Sequence, residues 1–403
     1  MTAPSTTSLL DLFGSEWAAN PYPFYAELRA NSPIQWDEWM KSWAILGHPE
    51  IVQLSKDDRL SGARISEFHE SLPEQSRGDV ALLAKTLSDM MLFNEPPRHT
   101  ALRSLIKPGL TPRFVREMRK LIEDSANELL DRVVQQGRMD VIHDFSEPLS
   151  RGVIAKLAGV PDDAAHLLES WQGLLHEFFT QSSAQNGRIE ALRESFDRGT
   201  RARRDGTADD LFSQVISPQL RNADYTDDEV FANFLLLIDA GQATTTHLIG
   251  NAVLALLQND EQTRLLRESP EKTTNAAHEL MRYDSSVQFT TRIALADIEI
   301  GEQLIRRGQS VTLVLGSGNR DPRRYADPDT LDITRRAADH LSFGHGIHYC
   351  LGASLALSEI DVAMRTLLRR VDNWALAEAE PEWLDSINFR FLKSLPITFE
   401  PRD

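Results

Sequence analysis

The sequence predicts a mainly α-helical fold with small β-sheets toward its edges, and three observations carry that expectation. Apolar residues recur three or four apart over long stretches, strand-like runs are short and few, and strand does not alternate with helix as a doubly wound parallel sheet requires. In chain order, the helical period covers 114–134, 227–258, 270–283 and 354–371. The strand-like stretches are 34–36 with 43–46, then 293–300 and 310–315. Two stretches, 61–97 and 181–210, keep no clear period and read as irregular segments of the kind that form lids or binding loops. With no Pro-, Gly- or Ser-rich linker and no internal repeat, one domain over 1–403 is expected.

Composition narrows the function. The 403 residues carry a net charge of −17, whereas a surface that binds nucleic acid must be basic to meet phosphates. The same charge disfavours docking on anionic membranes. No run approaches the roughly 18 consecutive apolar residues of a membrane span, and the first residues lack the basic and apolar parts of a secretory signal. A cytoplasmic protein with no membrane and no nucleic-acid partner is expected. A single cysteine excludes an internal disulfide.

The longest predicted helix opens on Thr226-Asp227-Asp228-Glu229, a capping box in which each end satisfies a free backbone donor of the other. From there to Asp260 it would run roughly 50 Å at 1.5 Å per residue. Its centre, Ala240-Gly241-Gln242-Ala243-Thr244-Thr245-Thr246, is a poor helix former. Threonine hydroxyls can bond back to carbonyls one turn earlier, so a bend is expected midway.

The cysteine lies in Phe343-Gly344-His345-Gly346-Ile347-His348-Tyr349-Cys350-Leu351-Gly352, just before an amphipathic helix. The glycines permit close backbone packing and unusual dihedrals. A sulfur at a helix N-terminus is stabilised as thiolate by unpaired amides and the helix dipole, which suits an iron ligand. Zinc is the rival, with His345, His348, Cys350 and nearby His340 at short spacing, but zinc sites of this kind usually add paired cysteines and the chain has none.

This segment resembles the haem-binding loop of the cytochrome P-450 family, Phe-x-x-Gly-x-x-x-Cys-x-Gly, matched by Phe343, Gly346, Cys350 and Gly352. The resemblance extends over nearly the whole chain and is closest to the soluble bacterial members. It implies haem b held between the long central helix and the cysteine loop, with Cys350 as the iron ligand. It also implies that His99, Arg103, Arg292 and His348 contact the haem propionates, whose charges need cationic or hydrogen-bonding partners.

Glu279 and Arg282 resemble the family's buried Glu-x-x-Arg pair. The pattern is common: Glu74 with Arg77, Glu95 with Arg98, Glu190 with Arg193 and Glu261 with Arg264 share it, and such i,i+3 pairs are ordinary surface features. Position alone selects 279 and 282, between the long helix and the cysteine loop. Ala240 to Thr245 resembles the oxygen-binding bend Ala-Gly-x-(Asp/Glu)-Thr-Thr, with Gly241 and Gln242 beside Thr244, which takes the place of the threonine that steers protons toward dioxygen. The chain departs from the family at Ala243, where the acid usually stands.

The activity implied is a monooxygenase that inserts one atom of O2 into a small hydrophobic organic substrate by hydroxylation or epoxidation, in secondary-metabolite tailoring. Electrons would come from NAD(P)H through a ferredoxin and ferredoxin reductase, to a monomer. Two alternatives stand beside it: a peroxygenase or oxidative ring- or bond-forming enzyme on the same fold, and a haem-binding sensor without turnover. By resemblance the substrate pocket is lined by Met91, Phe93, Phe178, Ala240, Ala243, Val287, Phe289, Phe391 and Leu392, which are apolar or aromatic.

Overall fold

The structure, a computed structural model, describes residues 8–12, 17, 19–107, 110–158, 185–202, 225–378, 380–386 and 388–402. The chain divides into two compact units: Met1–Leu60 with Arg119–Leu149 and Thr244–Asp403, and Ser61–Met118 with Ser150–Ala243.

In the first unit a mixed sheet is built in the order Ile34–Asp37, Ser42–Ile45, Ser310–Leu313, Thr290–Ala294 and the short strand Leu60–Ser61. Ile34 pairs antiparallel with Ile45 and Trp36 with Trp43, Trp43 then runs parallel beside Val311, and Val311 faces Arg292 antiparallel. One face covers a core of Ile34, Ile45, Ile51, Leu54, Val311 and Leu341; the other packs on Tyr22, Phe24, Tyr25 and Leu28 of the helix Tyr22–Asn31. The helix Thr273–Tyr283 packs against Ala353–Arg370. A second sheet joins Arg138–Asp140, Pro396–Pro401 and Val371–Leu376.

The expected strand 293–300 is two strands in different sheets, Thr290–Ala294 and Ile298–Ile300. The chain turns between them because Leu295 N–H donates to the Arg59 carbonyl and the Asp297 carboxylate accepts from Arg307 N–H at 2.9 Å.

In the second unit the stretch expected to be irregular at 61–97 contains two helices, Ile65–Ser71 and Glu74–Ser88. Val80, Leu83, Ala84 and Leu87 of the latter are buried, an i, i+3, i+4, i+7 stripe hidden in sequence by its polar first half. The other irregular stretch holds the helix Gln185–Ala202, which buries Ile189, Leu192 and Phe196 and packs on Glu74–Ser88. The Phe196 ring meets that of Phe231 edge-on at 5.4 Å and that of Phe234 at a tilt at 5.5 Å.

The long helix is Asp227–Leu257. Its capping box forms as expected: Thr226 N–H donates to Glu229 Oε2 at 2.9 Å, and Glu229 N–H to Thr226 Oγ1 at 3.2 Å. Arg98 adds a salt bridge to the same Glu229. The threonine run does not interrupt the helix, and Thr246 Oγ1 makes no bond back to the preceding turn. Among the described residues no helix is long and apolar enough to cross a membrane.

Candidate active site

The cysteine loop is a tight backbone structure. Gly344 N–H donates to the Leu341 carbonyl, Tyr349 N–H to that of Gly346, and Cys350 N–H to that of Phe343, at 2.8, 3.1 and 2.9 Å. Gly344 and Gly346 have φ of 68° and 73°, which an L side chain rarely adopts. A Cβ on Gly346 would also press into the Ser55 carbonyl, 3.0 Å from its carbon and nearer its oxygen. Gly352 caps the helix Ala353–Arg370, so Cys350 stands two residues before the cap, half-buried. A Cβ on Gly352, by contrast, would meet no protein atom within 4 Å.

Behind the loop, Phe343 is buried with its ring 5.3 Å from His340. Burial pushes the His340 imidazole down to about 3, helped by the neighbouring His278 and the Arg282 charge. His340 is turned toward His278, Nε2 to Nδ1 at 3.4 Å. Among the described residues no three His, Cys, Asp or Glu side chains gather as a metal ion would need, so the zinc arrangement does not form there. Tyr349 has its hydroxyl pushed up by burial and then by the charge of Cys350.

Glu279 and Arg282 are both fully buried and face each other: Arg282 Nε donates to Glu279 Oε2 at 2.7 Å and Nη2 to Oε1 at 2.8 Å. Arg282 also donates to the carbonyls of Asn319, Pro328 and Thr330, and Glu279 accepts from Asp332 N–H and Arg335. The pair thus fastens the chain leading into the cysteine loop. At the other four Glu-x-x-Arg positions the arginines turn elsewhere. Arg77 bonds the Leu72 carbonyl, Arg98 bonds Glu229, Arg264 bonds Glu268, and Arg193 bonds Asp228 and Asp197 rather than Glu190.

In the same unit as Cys350, Arg292 is half-buried on its strand, with Nη1 donating to Thr290 Oγ1 at 2.8 Å and to the Thr291 carbonyl at 2.9 Å. His348 is also half-buried. Val287 forms a bridge with Phe389, Phe289 and Leu392 are buried, and Phe391 is half-buried. In the second unit His99 is buried and Arg103 half-buried on the helix Arg98–Ile106. Met91 and Phe93 lie in a one-turn helix fixed by Asn233, whose Oδ1 accepts from Met91 N–H at 2.7 Å. Phe178, with its neighbours at 171–179, lies outside the described residues.

The long helix shows one accessible stripe. Leu237, Ala240, Gly241 and Thr244, at i, i+3, i+4 and i+7, remain partly or fully exposed, as does Ala243, while Gln242, Thr245 and Thr246 are buried. Gly241 also admits Ile154 so closely that a Cβ would clash with it. Within the first unit, open space over Gly352, the one thiol and the half-buried Arg292 and His348 fit a flat, dianionic, iron-bearing group such as haem.

The chain matches the family model described as Cytochrome P450 over residues 138–383. It is also 38% identical to the "Biotin biosynthesis cytochrome P450" of Bacillus subtilis (strain 168), across 99% of this chain and 100% of that protein. The chain belongs to the cytochrome P450 family. It is therefore a monooxygenase, and haem is the cofactor the family implies. The crystal structure of P450BioI in complex with hexadec-9Z-enoic acid ligated acyl carrier protein matches with a TM-score of 0.87 and 37% identity, over 96% of this chain and 99% of that one. That of the myxobacterial CYP267B1 in complex with myristic acid matches with 0.85 and 31%, over 97% and 99%.

In this P450 the structure also brings together residues that the sequence did not single out. Arg390, buried, donates to Asp284 at 2.6 Å, while Tyr22 donates to the same carboxylate at 2.6 Å. Arg390 lies over the Trp383 ring at 3.7 Å. His247, one turn beyond Ala243, stacks on Phe391 at 4.1 Å. The only sequence signal for His247 was its place at i+4 from a position already marked, since its partners lie far along the chain.

Proposed function

We propose that this P450 binds its haem iron through Cys350 and inserts one oxygen atom into a small, mainly hydrophobic substrate, with an extended acyl chain as the first candidate. When bound, the haem supplies a thiolate-ligated iron that activates dioxygen and favours O–O cleavage. The observation that carries the reading is the cysteine loop, held by its own amide bonds and by a glycine at φ 73°, with open space over Gly352. Arg292 and His348, and on the resemblance His99 and Arg103, hold the propionates by charge-assisted bonds.

The chain's remaining residues shape the substrate's surroundings. Val287, Phe289, Phe391 and Leu392 offer apolar and aromatic surface with few polar anchors. The relatives whose solved structures carry a fatty acyl group or a fatty acid favour an aliphatic chain for this surface. Thr244, on the accessible stripe, passes protons toward the dioxygen with water, and Ala243 leaves room there for water or a polar group of the substrate. Gln242, two residues before Thr244, lies on a buried face of the helix, which leaves that water to Thr244 and the substrate. Electrons come from NAD(P)H through a ferredoxin and its reductase, to a cytoplasmic monomer.

The test is spectroscopic. Reduced protein under carbon monoxide gives the red-shifted Soret band of a thiolate ligand, and Cys350→His loses it. Purified protein carrying zinc and no haem overturns the reading. Titration with saturated fatty acids of increasing length should shift the Soret band of the oxidised protein; no response at any length removes the acyl candidate.

A further inference from the structure

The segment 389–392 is held by one face of the long helix. Asn251 Nδ2 donates to the Arg390 carbonyl at 3.1 Å, and Asn251 is fully buried. Gly250, one residue earlier, leaves space that a Cβ would take from Leu392 at 3.3 Å and from Ile142 at 2.5 Å. His247 completes the face at i, i+3 and i+4. Burial holds its imidazole down to about 4, the Leu392 backbone beside it acting in the opposite sense. The same ring lies nearly parallel to Phe391, 19° between planes, and Phe391 in turn stacks on Phe389 at 4.7 Å and 20°.

The opposite side of the segment is fixed too. Arg390 N–H donates to the Ser286 carbonyl at 2.9 Å, its guanidinium is paired with Asp284, and Leu384 N–H donates to the Phe391 carbonyl at 2.8 Å. The backbone is therefore set by several bonds, whereas among these contacts only the flanking stacks with His247 and Phe389 orient the Phe391 ring. Phe391 is half-buried and so has an accessible side.

From this we infer that His247 is a positioning residue for substrate: its imidazole sets the plane of Phe391, so that Phe391 presents a fixed aromatic wall to the bound molecule. The inference rests on the proposed reading of Phe391 as pocket lining. A flat, buried imidazole stacked face to face leaves the Phe391 ring one plane to occupy. Neither His247 nor Phe391 touches the cysteine loop in any bond described above, so their effect falls on the occupant of the pocket and not on thiolate ligation.

The experiment compares imidazole and 4-phenylimidazole binding to the holoprotein by the Soret shift. Imidazole reports access to the iron, and the ratio of the two affinities reports what the pocket wall adds for an aromatic ring. His247→Ala and Phe391→Ala should each lower that ratio about 3- to 10-fold, leave imidazole affinity within about 2-fold, and add little to each other when combined. His247→Phe, which keeps a flat ring in the stack and guards against a folding failure of the alanine variant, should hold the ratio near that of the unmodified protein. If Phe391→Ala lowers the ratio and His247→Ala does not, the positioning role is wrong while the pocket reading stands. If neither lowers it although imidazole binds, the pocket reading of Phe391 fails and the inference goes with it. If imidazole gives no Soret shift in the unmodified protein, the haem-thiolate reading itself has failed.

Discussion

Replacing Gly346 and Gly352 separately by alanine distinguishes two reasons for a glycine in the cysteine loop. Gly346 has φ 73°, where an L residue costs roughly 1–2 kcal/mol. Its new methyl would also press into the Ser55 carbonyl, 3.0 Å from the carbon and 3.6 Å from the Lys56 nitrogen. Those atoms are backbone just after the helix His48–Leu54, so they cannot swing aside as a flexible side chain would. Overpacking of this kind costs roughly 1–3 kcal/mol. The total, about 2–5 kcal/mol, is a large part of the roughly 5–15 kcal/mol that holds a typical domain folded. Gly352 has φ −86° and open space around its Cα, so alanine should change stability by less than about 0.5 kcal/mol.

Haem content separates the two further. Gly346→Ala should lower the urea midpoint and haem content together, because the loop must move. Gly352→Ala should leave the urea midpoint of haem-free protein unchanged while lowering haem occupancy, since the space its methyl takes is where the flat group would pack. Urea unfolding followed by circular dichroism, with haem measured as its pyridine complex, reads both. An unchanged midpoint for Gly346→Ala would refute the loop geometry, and full haem occupancy in Gly352→Ala would refute the placement of the haem over that residue.

Arg282→Leu should leave the Glu279 carboxylate with only Arg335 as a charged partner and the Asn319 and Pro328 carbonyls without this donor, costing about 3–5 kcal/mol; soluble yield and urea midpoint check it, and a midpoint equal to the parent's contradicts it. Arg292→Ala and Arg103→Ala should each lose haem, whereas Arg193→Ala, whose partners are Asp228 and Asp197, should retain it; equal loss in all three counts against the propionate assignment. His48 and His247 are held down to about 4 and His340 to about 3, mainly by burial, so all three stay neutral when folded while the unfolded chain takes up protons below about pH 6.5. Stability should therefore be full above that pH and fall as pH drops toward 4, by roughly 4 kcal/mol per pH unit where all three contribute; a flat urea midpoint between pH 6.5 and 4.5 would show that the histidines are not buried as described. Thr244→Ala should lower product per NADPH and raise peroxide, and an unchanged ratio would remove Thr244 from the proton path.

What the sequence made legible followed from how local each signal was. The capping box at Thr226 and Glu229 needs only three residues and formed as read. The expected long helix was right within a few residues because its apolar period continues through the weak centre, and burial on both sides of the threonine run outweighs the propensity cost there. The helices Glu74–Ser88 and Gln185–Ala202 were missed because their buried stripes are narrow and set among charges; contact with each other, not intrinsic periodicity, supplies their stability. The expected strand 293–300 failed at Leu295 to Asp297, where bonds to Arg59 and Arg307 impose a turn whose one local signal, the turn-favouring Asp297, sits in a largely apolar run.

At the site the same division holds, and it explains why the chemistry was easier to read than the specificity. The cysteine loop is encoded within ten residues, because positive φ at Gly344 and Gly346, joined at Gly346 by close packing, favours glycine. Glu279 and Arg282 could be separated from four identical spacings only by place, and burial then gives the physical difference: two fully buried charges need each other, whereas Arg193 or Arg264 can pair with any nearby acid. The surface proposed to face a substrate is different in kind. His247 meets Phe391 and Leu392 only after the chain has folded, and Arg390 meets Asp284 and Tyr22 the same way. A wall assembled from distant residues can change its occupant by one substitution without disturbing any local motif. Substrate choice in this P450 is therefore expected to follow positions such as 247 and 391, while the loop around Cys350 keeps the reaction itself constant.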